Sequence, residues 1–120
     1  MGDARRLARI LKALSEERRV RIVQLLKGQA LCVGALAARL DVTQGAVSQH
    51  LRIMRDAGLV VDEKRGYYVH YRLNERTLAR WREAIGELLA PTAGPSENTR
   101  GARKCVAAVR RRKGVRSRKT

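Results

Sequence analysis

The stretch VTQGAVSQHLRIMRDAGL, from Val42 to Leu59, constrains the fold more than any other part of the chain. Thr43 is a hydroxyl residue set to cap a helix, and Gly58 is set to end it. Between them Val47, Leu51 and Met54 recur at i, i+4 and i+7, one apolar stripe of helical period. The other face carries Gln44, Ser48, Gln49, Arg52 and Arg55. Such a helix packs on one side and offers hydrogen-bonding and cationic side chains on the other.

The flanking segments decide what holds it. Leu36, Ala37 and Leu40 give a short helix over Val33–Leu40 an inner face, and only Asp41 and Val42 separate it from the Thr43 cap. Two helices joined so tightly read as a helix-turn-helix. Upstream, Leu7, Ile10, Leu11 and Leu14 form the stripe of a first helix. Ser15 reads as the N-cap of a second, with Glu16 and Glu17 at its positive end. Val20, Ile22, Val23, Leu25 and Leu26 are more than one stripe's worth, so that helix is expected to be well buried; Lys27 and Gly28 end it. Downstream, Leu59-Val60-Val61 reads as a strand and DEKRG as a turn region. In YYVHYRL, Tyr67, Val69, Tyr71 and Leu73 alternate with Tyr68, His70 and Arg72, which predicts a strand with one inner face. The result is a β-hairpin with a basic tip at Lys64 and Arg65. Asn74 can cap a last helix, on which Leu78, Trp81, Ile85 and Leu88 keep helical spacing until Pro91. The fold class is mainly α with a β-hairpin, a winged helix-turn-helix in the order α-α-α-α-β-β-α.

Charge divides the chain of 120 residues and says what it meets. Residues 1–90 hold 17 basic and 10 acidic side chains, a net +7, whereas residues 91–120 hold 10 basic and one acidic, a net +9. The expected organisation is a folded domain over 1–90 and a basic, disordered tail over 91–120. A net charge of +16 points to a polyanion, nucleic acid before an anionic membrane surface. Phe is absent, so the core is aliphatic, and so light a core gains from a dimer partner. No apolar run approaches the ~20 residues of a membrane span. Arg5, Arg6, Arg9 and Lys12 interrupt any signal-peptide core, which predicts a cytoplasmic chain with Cys32 and Cys105 as thiols. Catalysis is not expected: His50 and His70 lack a partnered acid in any nucleophile or metal motif, and no Gly-rich phosphate loop occurs.

Three segments in this order, ALSEERRVRIVQLL, ALCVGALAARLDVTQGAVSQHLRIMRDAGLV and KRGYYVHYRL, resemble the ArsR/SmtB family of bacterial transcriptional repressors across roughly Leu7 to Leu89. The resemblance implies a homodimer formed mainly by the first and last helices, through Leu7, Ile10, Leu11, Leu78, Trp81, Ile85 and Leu88. It also implies binding of a near-palindromic operator in double-stranded DNA, relieved by an effector, with no cofactor required. On that reading Thr43 and the first amides of the helix meet a phosphate. Gln44, Ser48 and Gln49 reach base edges, and Gly45 lets the backbone come close. Arg52 and Arg55 suit the DNA backbone, and Lys64 and Arg65 the adjacent minor groove. His50 fits a phosphate contact or packing at the helix–domain seam equally well.

The effector is the open question. The family's arsenite pattern is Cys-x-Cys at the start of the third helix; here Cys32 is kept and Gly34 stands at the second position. The zinc pattern needs Asp, His and Glu along the last helix, and NERTLARWREAIGEL has neither His nor Asp. Cys32 nonetheless occupies an N-cap position where Ser or Thr would serve better, and a helix N-terminus favours thiolate chemistry. About fifteen extended residues of tail would span ~45 Å, enough to bring Cys105 to it. Two thiolates suit a soft metal ion, an arsenical that already carries an organic group, or a disulfide switch. Three readings stay open: a repressor sensing a soft metal or metalloid through Cys32 and Cys105, a family member with a non-metal effector or none, and a non-specific architectural nucleic-acid-binding protein.

Overall fold

A computed structural model describes residues 2–92. Readings that fall on residues 93–120, Cys105 and the basic tail among them, lie outside the described residues. The elements are α1 Gly2–Ala13, α2 Glu17–Leu25, β1 Leu31–Cys32, α3 Val33–Leu40, α4 Gln44–Asp56, β2 Val60–Arg65, β3 Tyr68–Leu73 and α5 Glu75–Leu89. This is the winged helix-turn-helix architecture expected, with one added strand. β1 pairs antiparallel with β3, so the wing is a three-stranded sheet ordered β1-β3-β2.

Local chemistry sets the boundaries. α3 ends on Asp41 in the left-handed region (φ 58°), a conformation its short polar side chain tolerates. The Val42 amide bonds the Ala37 carbonyl at 3.1 Å, and the chain re-enters α4 two residues later. At the other end of α4, Gly58 takes φ 80°, which an L side chain rarely adopts. The Gly58 and Leu59 amides close back on Arg55 and Met54 at 2.9 Å each, and Leu59 drops into the core. Asn74 caps α5 through a bond from the Thr77 amide.

Three details differ from the sequence reading. α2 is capped by Glu16, whose carboxylate accepts the Arg18 amide at 3.0 Å; Ser15 instead donates to the Lys12 carbonyl at the end of α1. The α2 apolar set is not all buried. Ile22 and Leu26 reach the core, Val23 and Leu25 are half-buried, and Val20 is exposed. In β3 only Leu73 is buried and Tyr71 half-buried, whereas Val69 and Tyr67 are exposed. Leu73 lies opposite buried Val60 at the base of the hairpin, while Tyr71 lies opposite Asp62, beyond which the strands leave the helical body.

The core is aliphatic, as the absence of Phe requires. Val47, Leu51 and Met54 of α4 are fully buried against Leu36 and Leu40 of α3, Ile22 and Leu26 of α2, and Leu59 and Val60. Ile10 of α1 and Trp81 of α5 belong to the same cluster. The stripe on α4 is thus wholly occupied, which leaves its opposite face to define the site.

Candidate nucleic-acid interface

Burial along α4 alternates as the stripe requires. Gln44, Gly45, Ser48, Gln49, Arg52 and Arg55 are all exposed, and Ile53 joins them at 45% exposure. Thr43 caps the helix by accepting the Ala46 amide at 3.1 Å, so its hydroxyl is turned inward to the first turn. The Gln44 and Gly45 amides precede any intrahelical partner, which makes this end of the helix positive. Gly45 sits in the exposed arc, and a Cβ there would meet nothing closer than Thr43 Oγ1 at 4.0 Å. The fold leaves that position open rather than filling it.

His50 lies apart from this face. It is only 15% exposed in its side chain and faces α2. Arg19 donates from Nη1 to His50 Nδ1 at 3.1 Å, which makes Nδ1 the acceptor and leaves the proton on Nε2, 3.7 Å from Glu16. The same guanidinium donates to the Ala13 carbonyl at 2.7 Å and the Lys12 carbonyl at 3.4 Å. Arg19 therefore ties the end of α1 and the start of α2 to the side of α4. Nothing in the sequence singles it out among the basic residues of α2. Arg19→Ala is expected to destabilise the domain by about 2 kcal/mol, because the partners of a charge-assisted hydrogen-bond fork are left unmet. Arg19→Lys should recover only part of that, since an ammonium is a single point charge. Thermal unfolding of the two variants measures both.

The wing cations are partly engaged. Arg55 pairs with Asp62 at 3.6 Å, which links the end of α4 to β2. Arg65 bonds Glu63 at 2.8 Å and Arg72 reaches the same carboxylate at 3.1 Å. The hydrogen bond from Arg65, then that from Arg72, hold the Glu63 carboxyl below its ordinary value. Its contribution to the wing is therefore complete above the ordinary carboxylate range and is lost as acid takes the pH down through the lowered value. The hairpin turns at Gly66-Tyr67, one step past the expected tip, and Lys64 and Arg65 lie at the end of β2.

Cys32 is a free, half-buried thiol at the N-cap of α3, with no side-chain capping bond. Two neighbours give it a context that the sequence does not display. It stands directly opposite His70 in the β1–β3 pair, and His70 Nδ1 is buried without a hydrogen-bond partner among the described residues. A Cβ placed on Gly34 would lie 4.0 Å from Cys32 Sγ and 3.6 Å from Gln44 Nε2. The missing side chain at position 34 thus leaves a gap bordered by the thiol on one side and the first residue of α4 on the other. Among the described residues no group of three or more His, Cys, Asp or Glu side chains is set to hold a metal.

The terminal helices carry both buried and open apolar residues. Ile10 and Trp81 are buried within the chain's own core, and Leu7, Leu78 and Ile85 are half-buried. Leu11, Leu88 and Leu89 are exposed. Leu7, Ala84 and Leu88 line a groove between α1 and α5 together with Asp3, Arg6, Arg80, Glu83 and Glu87. The apolar surface exposed on these two helices is therefore narrower than the sequence stripes imply.

Similarity to known proteins agrees with this geometry. A family described as bacterial regulatory protein, arsR family, matches residues 16–61. The arsenical resistance operon repressor of Escherichia coli (strain K12) is 44% identical over 66 residues, 54% of this chain and 56% of that protein. The chain thus spans about half the length of that relative. The HTH-type transcriptional regulator CmtR of Mycobacterium tuberculosis (strain H37Rv) is 42% identical over 83 residues, covering 69% of this chain and 68% of that protein. Among solved structures, reduced HlyU from Vibrio cholerae N16961 superimposes with a TM-score of 0.62 at 33% identity, over 75% of this chain and 95% of that one.

Proposed function

This chain belongs to the ArsR/SmtB family of winged helix-turn-helix transcriptional regulators, which are DNA-binding proteins and not enzymes, and from that premise we propose that it is a homodimeric, sequence-specific repressor released from its operator by a thiol-reactive effector at Cys32. The observation that carries the reading is the uncovered polar face of α4. It combines a free positive helix end, the amides of Gln44 and Gln49, the hydroxyl of Ser48 and the guanidinium of Arg52. Gln pairs bidentately with adenine, and the helix end and arginines suit phosphate. His50, drawn into the α2–α4 seam, acts here as a positioning residue for α4.

A dimer would place two α4 helices in successive major grooves about 34 Å apart. Leu11 and Leu88, with the charged rim of the α1–α5 groove, are the face we assign to a second copy. The effector is a soft metal ion or a trivalent, organically substituted arsenical, which two thiols suffice to bind. Each thiol that enters loses its proton. Cys105 is the second donor in this reading, and the cytoplasm is where both stay reduced.

The test is footprinting of the full chain on DNA upstream of its own gene, at fixed salt, with thiophiles added singly. The expected result is protection of two half-sites one helical turn apart, lost on adding phenylarsenous acid or mercuric ion. Absence of a protected site overturns the reading. A protected site that no thiophile releases supports a second reading, a family regulator with another effector or none. Glycine at position 34, where the family's arsenite pattern has its second cysteine, favours that reading.

A further inference from the structure

We propose that Tyr67 and Tyr68, at the tip of the wing, enter the minor groove beside the operator half-site and supply a non-ionic part of its affinity; this rests on the DNA-binding reading above.

Aromatic side chains are scarce in this chain, with one Trp, three Tyr and no Phe. Trp81 and Tyr71 pack against the core. The remaining two stand side by side in solvent, Tyr67 at 97% exposure and Tyr68 at 65%. Val69, next to them, is also exposed. An aromatic side chain is normally buried or placed where a partner covers it.

The tip has a regular hairpin backbone. Gly66 takes φ 62° and Tyr67 does not take a positive φ, the pattern of a two-residue turn whose twist matches the strands. Arg65 lies opposite Tyr68 and closes the hairpin. Glu63 binds Arg65 on its own strand and Arg72 on the next, which clamps β2 to β3. The wing is also referenced to α4, because Asp62 at its base pairs with Arg55.

Charge selects the occupant. Lys64 and Arg65 adjoin the tyrosines, and the chain as a whole carries +16. Duplex DNA meets both requirements: phosphates line the groove edges, and its walls are apolar deoxyribose. The groove floor presents acceptors to which a phenol hydroxyl can donate. Arg65 is drawn back along the strand by Glu63, so the ionic contact at the tip falls to Lys64 and the rings make the deeper one.

The test is operator titration at several salt concentrations with Tyr67→Ala, Tyr68→Ala, Tyr67→Phe and Lys64→Ala. The alanine variants at the tyrosines are expected to weaken binding on the order of tenfold, the size of a partly buried apolar side chain, with an unchanged salt slope because no phosphate contact is lost. They should also lose protection flanking each half-site in hydroxyl-radical footprints. Lys64→Ala should flatten the slope by about one unit. Tyr67→Phe separates ring from hydroxyl, and a loss no larger than that of Tyr67→Ala is expected. Since both side chains are exposed, circular dichroism should show the variants folded. The proposal is overturned if the two alanine variants bind and footprint as the parent does, or if they change the slope and not the affinity. Failure of the parent chain to protect any site is a different result, and it removes the DNA-binding reading itself.

Discussion

A glutamate at position 45 is expected to abolish operator binding, by a factor on the order of a hundred or more, while leaving the domain as stable as the parent. The two halves of that expectation have separate causes. A Cβ at Gly45 meets nothing nearer than 4.0 Å, so the fold accepts a side chain there. An acidic residue in the first turn is favourable to the helix, and replacing a first-turn glycine recovers at most about 0.5 kcal/mol of backbone freedom. The same carboxylate would project from the face proposed to meet DNA, where a like charge beside phosphate costs several kcal/mol. Gly45→Ala separates bulk from charge: it should stabilise by the glycine term alone and weaken binding less than glutamate does. Thermal unfolding and gel shift of the two variants report opposite signs. Parent-like operator affinity for Gly45→Glu would mean that α4 does not face the groove.

That prediction was open to sequence reasoning because α4 states itself. One stripe, one cap and one terminating glycine fix which residues turn inward, and Val47, Leu51 and Met54 are all fully buried. α3 was legible for the same reason, with the short Asp41-Val42 connection joining the two. The rest was hidden wherever the cause is not periodic. β1 is two residues long, below the length at which alternation carries a signal, and it exists because β3 offers an edge to it. The alternation in YYVHYRL implies a strand but not how far the helices extend beneath it, so it places Tyr67 on the inner face with Leu73, whereas Tyr67 stands in solvent. His50 had two equal readings, and only the approach of Arg19 from thirty-one positions away shows it engaged in the seam. Cys32 was visible as an odd cap, but the gap it shares with Gln44 is made by a side chain that is absent, at Gly34.

That gap leads to the second large effect. Cys32→Ser is expected to keep operator binding and lose all release by thiophiles. Serine is the better N-cap and retains the size of the residue, so α3 should hold as well or better. What disappears is the soft donor. In the parent, a Cβ on Gly34 would stand 4.0 Å from Cys32 Sγ and 3.6 Å from Gln44 Nε2, so a group bonded to the thiol and reaching across Gly34 is expected to press on the first residue of α4. A bidentate side-chain contact to a base contributes about 1–3 kcal/mol, which matches the 5–150-fold coupling typical between effector and ligand. The same logic requires that bulk alone should act. Gly34→Leu, which also improves helix propensity, should weaken operator binding with no effector present, whereas Gly34→Ala, whose contacts at 3.6 and 4.0 Å are ordinary, should bind nearly as the parent does. Gel shifts of the three variants, with and without phenylarsenous acid, separate the steps. Retained release in Cys32→Ser would remove the thiol from the mechanism. Parent-like binding by Gly34→Leu would leave the thiol in place but break the link to Gln44. Cys105→Ser then asks whether one thiol suffices: if release persists, the signal is expected to reach α4 from Cys32 alone, across Gly34.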